Sequence, residues 1–301
     1  MQQIELILIC LSIGLVLGWS GRLPDNASKA LGGWVINVAL PAAALKSLHD
    51  VSISSDWWLA AASPWIGVAI SIVIFLPVAR FFGWSRQRIG ALLLVAGWGN
   101  TSFVGLPMIS ALAGVQWLGL GLVIDLFGSY LALSIVGISI ATICSSGNFD
   151  IKLVMRRIVT FPPFIAVVLA IATNHLDRPI WINDVVDSLA ATLTPLALAA
   201  VGFSLRFDRF SGRLIALSFG LGFRLLVAPA AILLMYLLIG RLGDPVSKIA
   251  ILEMGMPPML GASIIAMEYD LEPNLVVLMI GLGVPLSMLT ASIWWSAITT
   301  L

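Results

Sequence analysis

Two polar interruptions within long apolar segments are the places where this chain could do chemistry. The first, residues 99–107, reads GNTSFVGLP, and the second, residues 255–263, reads GMPPMLGAS. Proline removes a backbone donor and clashes with the preceding turn, and a freed carbonyl facing lipid is costly. Such a break is tolerated only where protein or water satisfies it. The two segments therefore predict broken helices that face a protein interior or a water-filled cavity.

The ends of a broken helix have chemistry of their own. A half-helix that starts at a break presents free N–H groups and a partial positive charge, which suit a carboxylate. A half-helix that ends there presents carbonyls, which suit a cation or a proton donor. Asn100, Thr101 and Ser102 are placed to cap a half-helix or to bind a substrate directly. The alternative for each break is a kink that only eases helix packing.

Three ionisable residues lie within apolar segments: Asp125, Arg224 and Glu253. Charged groups at membrane depth are costly, so they usually face a cavity and often act in transport. Glu253 precedes Pro257 by one turn and is a candidate proton carrier, because desolvation favours its neutral form. Arg224 either attracts an anionic substrate or pairs with Asp125 or Glu253 as a structural bridge.

Asn37 precedes Pro41 by about one helical turn in another apolar segment. It either faces the same cavity or bonds to a neighbouring helix.

The tryptophans lie mostly near the ends of the apolar segments. Such positions are typical of an aromatic belt at the membrane interface. Most, but not all, of nine tryptophans are assigned to that belt; the nine are Trp57, Trp58, Trp65, Trp84, Trp98, Trp117, Trp181, Trp294 and Trp295.

The elements that carry these residues must be membrane helices. Apolar residues make up 60% of the 301 positions and charged residues 10%, against about half and a quarter in soluble domains. The net charge of +1 excludes a large polyanion-binding surface, and no basic stripe predicts nucleic acid binding. No metal-ligand cluster or nucleophile–base pair is present in the sequence, so neither a cofactor nor an enzyme is expected.

The fold class predicted is all-α, a polytopic membrane protein. A membrane-spanning helix needs about 20 mostly apolar residues. Ten segments meet that description: residues 3–20, 27–48, 57–81, 87–113, 117–144, 157–174, 187–205, 212–240, 246–267 and 273–300.

The loop charges orient these ten spans. If the chain crosses the membrane at each span, 11 Lys and Arg residues lie on one side and 4 on the other. Positive loops are cytoplasmic, so both termini are expected outside. The 11 are Arg22, Lys29, Arg80, Arg86, Arg88, Lys152, Arg156, Arg157, Arg206, Arg209 and Arg213.

Proline spacing predicts an internal repeat. Pro41 and Pro107 are 66 residues apart, and Pro195 and Pro257 are 62 apart. The similar spacing indicates two halves of five spans, residues 1–150 and 151–301, which an odd span count orients oppositely. Inverted repeats of this kind are common in secondary transporters.

The two breaks also carry a family resemblance. The run GNTSFVGLPMI, residues 99–109, resembles the fourth-helix motif of the auxin efflux carrier family, whose plant members are the PIN-formed proteins. The run MPPMLGASIIAMEYDL, residues 256–271, resembles the family's ninth-helix motif. The short linker between the halves differs from the long cytoplasmic loop of many plant members and favours a compact bacterial relative.

The resemblance implies a fold like that of bile acid–sodium symporters and sodium–proton antiporters, working by an elevator mechanism. Spans 1, 2, 6 and 7 are then a scaffold and a homodimer surface, and spans 3–5 and 8–10 a transport domain. Spans 4 and 9 cross at Pro107 and Pro257, with substrate beside the crossing. The expected substrate-binding residues are Asn37, Asn100, Thr101, Ser102, Gly105, Pro107, Pro257, Pro258 and Gly261, and the expected charged or coupling residues are Asp125, Arg224 and Glu253. The role of Glu253 is inferred from chemistry and not from the resemblance.

The function expected is secondary active transport of a small organic anion across the bacterial inner membrane. Bacterial relatives are linked with malate or malonate, so a small carboxylate is the leading substrate and a proton or sodium ion the coupling partner. The alternatives are a sodium symporter or sodium–proton antiporter of related fold, and a membrane sensor without a transport cycle.

Overall fold

The computed structural model describes residues 2–24, 26–48, 55–145, 151–173, 176, 178–205 and 213–300. Arg206 and Arg209, which contribute to the predicted charge bias, lie outside these residues, as does the boundary predicted at residue 150. The described residues are helical apart from turns and one isolated β-bridge. The helices are α1 Gln2–Ser20, α2 Ala27–Ser47, α3 Ser55–Phe82, α4 Arg86–Gly97, α5 Thr101–Leu112, α6 Val115–Cys144, α7 Ile151–Val159, α8 Pro162–Ala172, α9 Ile180–Ser204, α10 Leu214–Leu238, α11 Pro245–Met254, α12 Leu260–Glu268 and α13 Pro273–Thr300.

Six of these helices are long and apolar enough to cross a membrane: α2, α3, α6, α9, α10 and α13. Three shorter helices, α1, α5 and α8, are apolar as well. Large apolar side chains also stay on the surface, as with Phe81 at 84% exposure and Ile180 at 80%. A soluble protein rarely exposes so many, so the all-helical chain is a polytopic integral membrane protein.

Both predicted interruptions are present in the structure. The helix of the fourth predicted span ends at Gly97 and resumes at Thr101, and that of the ninth ends at Met254 and resumes at Leu260. Each break thus divides one predicted span into two half-helices, α4 with α5 and α11 with α12.

The chain forms two compact units. The first unit comprises Met1–Ser55, Ser102–Leu122 and Met155–Leu205. Within it, α1 packs closely on α9, because glycines let the two backbones approach. A Cβ atom at Gly14 would collide with the backbone of Ala199, and one at Gly202 with the backbone of Leu11.

The second unit comprises Asp56–Thr101, Val123–Val154 and Arg206–Leu301. Ion pairs join its helix ends. Glu272, just before α13, accepts two hydrogen bonds from Arg88 at 2.7 and 2.8 Å and lies 3.5 Å from the Nε of Arg213. Arg241 pairs with Asp56 at the start of α3. These contacts tie α3, α4 and α10 to the turns that follow α10 and α12.

Several helices contain π-helical turns, which widen the backbone and often mark functional sites. One such turn, Ile124–Tyr130 in α6, carries Asp125, and another, Phe223–Val227 in α10, carries Arg224. Tryptophan indoles donate to carbonyls in both turns: Trp65 to Phe127 at 2.9 Å, Trp98 to Ser129 at 3.2 Å and Trp294 to Leu225 at 2.9 Å. Trp98 is buried, so it is not one of the tryptophans of an interfacial belt.

Candidate functional site

The two helix breaks pair with each other inside the second unit. Gly99 and Pro258 form an antiparallel bridge. The amide of Asn100 donates to the carbonyl of Pro257 at 2.7 Å, and the amide of Met259 donates to the carbonyl of Trp98 at 3.0 Å. Pro257 and Pro258 have no N–H of their own, so the flanking residues supply both donors. We call this pair of segments, residues 98–101 and 255–259, the crossing.

Polar side chains gather beside the crossing. Asn100 and Thr101 are buried, and the Thr101 hydroxyl donates a hydrogen bond to the carboxylate of Asp125. Asp125 is buried too, in the π-helical turn of α6. A hydrogen bond to a buried carboxylate is among the stronger kind, so this contact fixes the start of α5 to α6 through Thr101.

Arg224 lies beside the crossing, at the ends of two half-helices. Its Nη1 donates to the carbonyl of Gly97 at 3.1 Å and approaches that of Ala96 at 3.5 Å, while Nη2 donates to the carbonyl of Met254. The last carbonyls of a helix lack intrahelical partners and carry partial negative charge. One guanidinium therefore caps α4 and α11 together.

Glu253 is the most isolated charge of the site. It is 0% exposed, and neither carboxyl oxygen has a hydrogen-bond partner among the described residues. Asp125 and Arg224 are the charged groups that act on it electrostatically. Among the residues that the structure describes, no ion pair joins Arg224 to Glu253 or Asp125. The structural bridge considered for Arg224 from the sequence is therefore not formed.

Pro107 is not part of the crossing. The helix is interrupted at residues 98–100, where Trp98 is extended, and it continues from Thr101 through Pro107 to Leu112. Pro107 comes two residues after the π-helical turn Thr101–Gly105, within this continuous helix, and does not end it. The crossing expected at Pro107 is thus formed by Gly99 instead, opposite Pro258.

The remaining predicted site residues are divided between the units. Gly261 lies in the second unit, where a Cβ atom would meet Leu133 at 3.6 Å. Ser102, Gly105 and Pro107 belong to the first unit. Asn37 belongs to it as well and donates its side-chain amide to the carbonyl of Gly33 at 2.7 Å. The substrate roles of these residues stay predictions.

Two residues of the site were missed by sequence reasoning. Trp98 supplies a carbonyl to the crossing and its indole to α6. Gly283 of α13 lies against Pro258, so close that a Cβ atom there would come 2.5 Å from the proline Cδ. The position of Trp98 between two glycines inside a predicted span could have indicated that the helix breaks there. Gly283 carries no such signal, because only the packing of α13 reveals its role.

Buried charges beside interrupted apolar helices define a class of protein, the membrane transporters. The family described as Membrane transport protein matches this chain over residues 1–150 and 148–295. The chain belongs to this family, the auxin efflux carrier family that the motifs of the two breaks resemble.

Two curated relatives agree with this membership. An uncharacterized transporter of Methanothermobacter thermautotrophicus is 28% identical over 292 residues, covering 96% of this chain and 95% of the relative. An uncharacterized transporter of Methanocaldococcus jannaschii is 24% identical over 310 residues, covering 98% and 97%. The likeness extends over nearly the whole of each protein.

Proposed function

We propose that the protein is a secondary active transporter of a small organic anion, a carboxylate such as malate or malonate. The antiparallel pairing of the two breaks carries this proposal, since it brings helix ends, Asn100 and Thr101 together inside one unit. Half-helices that meet at paired breaks are the usual construction of a transport site.

An anion suits the donors that the crossing offers. The helix α12 begins directly after Pro258 and Met259, so its first N–H groups lie next to the bridge. Free N–H groups at a helix start favour a carboxylate. The Asn100 side chain adds an amide that can donate as well. The choice of malate or malonate rests on the family resemblance.

Ten membrane spans in two inverted halves are part of the proposal. The similar proline spacing, 66 residues from Pro41 to Pro107 and 62 from Pro195 to Pro257, supports two related halves. The two interrupted helices support one break per half. The charge bias of 11 to 4 supports both termini on the side of the membrane away from the cytoplasm. The bacterial inner membrane rests on the family resemblance.

An elevator mechanism is also part of the proposal, and it rests on the family resemblance. The scaffold of spans 1, 2, 6 and 7 corresponds to α1, α2, α8 and α9, all in the first unit. The transport domain of spans 3–5 and 8–10 corresponds to α3–α6 and α10–α13, and α4 and α10–α13 lie in the second unit. Residues 102–122, which hold most of α5 and the start of α6, group with the first unit instead. The grouping therefore supports the scaffold and only part of the proposed transport domain. A homodimer through the scaffold helices completes this proposal.

Proton coupling is assigned to Glu253. An ionised carboxylate without a hydrogen-bond partner in an apolar interior is strongly disfavoured. Glu253 also lies at the C-terminal end of α11, where the helix dipole disfavours a negative charge. Uptake of a proton at this carboxyl, facing Asp125 and Arg224, links the site to the proton gradient.

Flux through proteoliposomes tests the function. Purified protein is reconstituted, and uptake of labelled malate and malonate is followed with and without an imposed proton gradient. Asn100→Ala should abolish uptake, since it removes the amide but keeps the backbone bond to Pro257. Asn183→Ala, a change in α9 of the first unit at an exposed position, is the control and should transport normally. Equal flux in wild type and Asn100→Ala would remove the crossing from the mechanism.

A further inference from the structure

Arg224 occupies the place at the crossing where a cation is needed. The half-helices α4 and α11 both end there, and the carbonyls at the end of a helix carry about half a negative charge. In transporters with broken helices, such carbonyls are the groups that coordinate a sodium ion. Here the guanidinium of Arg224 binds the carbonyls of Gly97 and Met254.

We propose that Arg224 is a resident cation that replaces a bound sodium ion at the crossing. Its role is to hold the ends of α4 and α11 together with a covalently attached positive charge. It positions the site and does not itself bind the transported anion. The site accordingly needs no sodium ion.

The environment of the guanidinium supports this role. Arg224 is 1% exposed, and within the described residues its hydrogen bonds go to backbone carbonyls and none to a carboxylate. The positive charge is therefore compensated mainly by backbone carbonyls, with Glu253 nearby but outside ion-pair distance. A sodium ion on the same carbonyls would lie beside this charge and be repelled by it.

The glycine at position 99 fits the same arrangement. A Cβ atom there would meet Cζ of Arg224 at 3.4 Å and the carbonyl oxygen of Glu253 at 3.3 Å. The guanidinium thus lies directly against the backbone of the break. Arginine suits the task better than lysine, because its planar fork of donors reaches carbonyls on two helices at once.

The capping role stands independently of any transport activity, whereas sodium independence of transport rests on the proposed function. The two parts are tested separately. Thermal stability of the purified protein tests the cap, and ion replacement in the flux assay tests the coupling.

For the cap, Arg224→Lys and Arg224→Gln are compared in thermal unfolding. The lysine variant keeps the charge and the glutamine variant removes it, so the Tm should fall by several degrees more in Arg224→Gln. Equal Tm values in the two variants would overturn the proposal. Arg241→Gln is the matched control in the same unit, since its ion pair with Asp56 is exposed and such pairs contribute little.

Guanidinium ion provides a second test of the cap. Arg224→Ala opens a space shaped for that ion, so a low concentration of guanidinium chloride should raise its Tm relative to equal sodium chloride. The same addition should not raise the Tm of Arg241→Ala. A Tm of Arg224→Ala equal to that of the wild type would overturn the proposal.

For the coupling, wild-type flux is measured in sodium chloride and in choline chloride. Equal flux in the two salts is expected. A several-fold stimulation by sodium, or a rise of wild-type Tm specific to sodium, would overturn the proposal, because a ligand stabilises the state that binds it. If the wild type transports no carboxylate, the proposed function fails while the unfolding comparisons still decide the cap.

Discussion

Asn100 and Pro257 are joined by a hydrogen bond from the amide of the first to the carbonyl of the second, 2.7 Å long. This bond connects two helix breaks that are far apart in the sequence. The bond uses backbone atoms only, so it does not depend on the Asn100 side chain. A substitution at Asn100 therefore tests the side chain without opening the crossing.

The bond between Thr101 and Asp125 gives a first prediction. Thr101→Val removes the hydroxyl that donates to the carboxylate and keeps the shape of the side chain. A hydrogen bond to a charged group contributes about 1.5–3 kcal/mol. We expect a loss of that size in the free energy of unfolding, measured by thermal or denaturant unfolding in detergent, and a reduced flux.

Thr142→Val is the matched control. Thr142 is buried in the same unit, but its hydroxyl donates to the carbonyl of Ile138 in its own helix. That carbonyl already belongs to the helix ladder, so the change should cost little stability and leave the flux intact. If Thr101→Val and Thr142→Val lose the same free energy of unfolding and the same flux, the contact with Asp125 contributes no more than an ordinary hydroxyl–carbonyl bond.

Glu253 gives a second prediction, on pH dependence. Glu253→Gln mimics the protonated carboxyl and cannot release a proton. If Glu253 carries the coupled proton, wild-type flux responds to an imposed pH gradient and Glu253→Gln flux does not. The charged groups acting on Glu253 are Asp125 and Arg224, and both are unchanged in this variant. Flux at a series of internal and external pH values is the measurement.

The control for this prediction is Glu268→Gln. Glu268 ends α12 and is exposed, so it has the same chemistry without the burial. Its variant should keep the wild-type response to pH. A pH response preserved in Glu253→Gln would assign the coupled proton to another group.

The sequence predicted the breaks because proline and glycine have local effects. Residues 98–100 and 255–259 interrupt helices where the two polar runs stand. Asp125, Arg224 and Glu253 were also recognised, since ionisable residues are conspicuous in apolar segments. All three residues are ionisable and stand in otherwise apolar segments, which makes them visible in the sequence.

The partners of these residues were not predictable in the same way. Arg224 was expected to face an anion or a carboxylate, but it bonds to backbone carbonyls. Every residue has a carbonyl, so the sequence does not show which ones a side chain meets. Similarly, the family resemblance led to the expectation of a crossing at Pro107, whereas the pairing is formed at Gly99. The π-helical turn Thr101–Gly105, which precedes Pro107, leaves no mark in the sequence.

Gly283 gives a third prediction. Gly283→Ala places a methyl group 2.5 Å from Cδ of Pro258, so α13 or the crossing must shift. Overpacking of this kind costs about 1–3 kcal/mol. The Tm should fall. The flux per folded protein should fall as well, because Pro258 belongs to the bridge with Gly99.

Gly222→Ala is the corresponding control in the second unit. Gly222 is helical, and a methyl group added there would meet nothing within 4 Å. Alanine favours a helix over glycine, so this variant should keep or raise the Tm and transport normally. If Gly283→Ala behaves like Gly222→Ala, the crossing tolerates displacement of Pro258.

The contact between α1 and α9 gives a fourth prediction, confined to the first unit. Gly14→Ala and Gly202→Ala each push a methyl group into the backbone of the facing helix. Backbone moves only with its helix, so each change should cost about 1–3 kcal/mol. Gly33→Ala in α2, where a methyl group meets nothing within 4 Å, should cost none. Unfolding of the purified variants measures all three.

The double variant Gly14→Ala/Gly202→Ala separates a shared contact from two independent ones. If either methyl group forces α1 and α9 apart, the second meets a gap already opened, and its added cost is small. Neighbouring substitutions that share one displacement are non-additive in this way, commonly by about 0.5–3 kcal/mol. Fully additive losses would mean that each glycine permits its own close contact between α1 and α9, independently of the other. The two helices would then approach each other at two separate points and not along one shared interface.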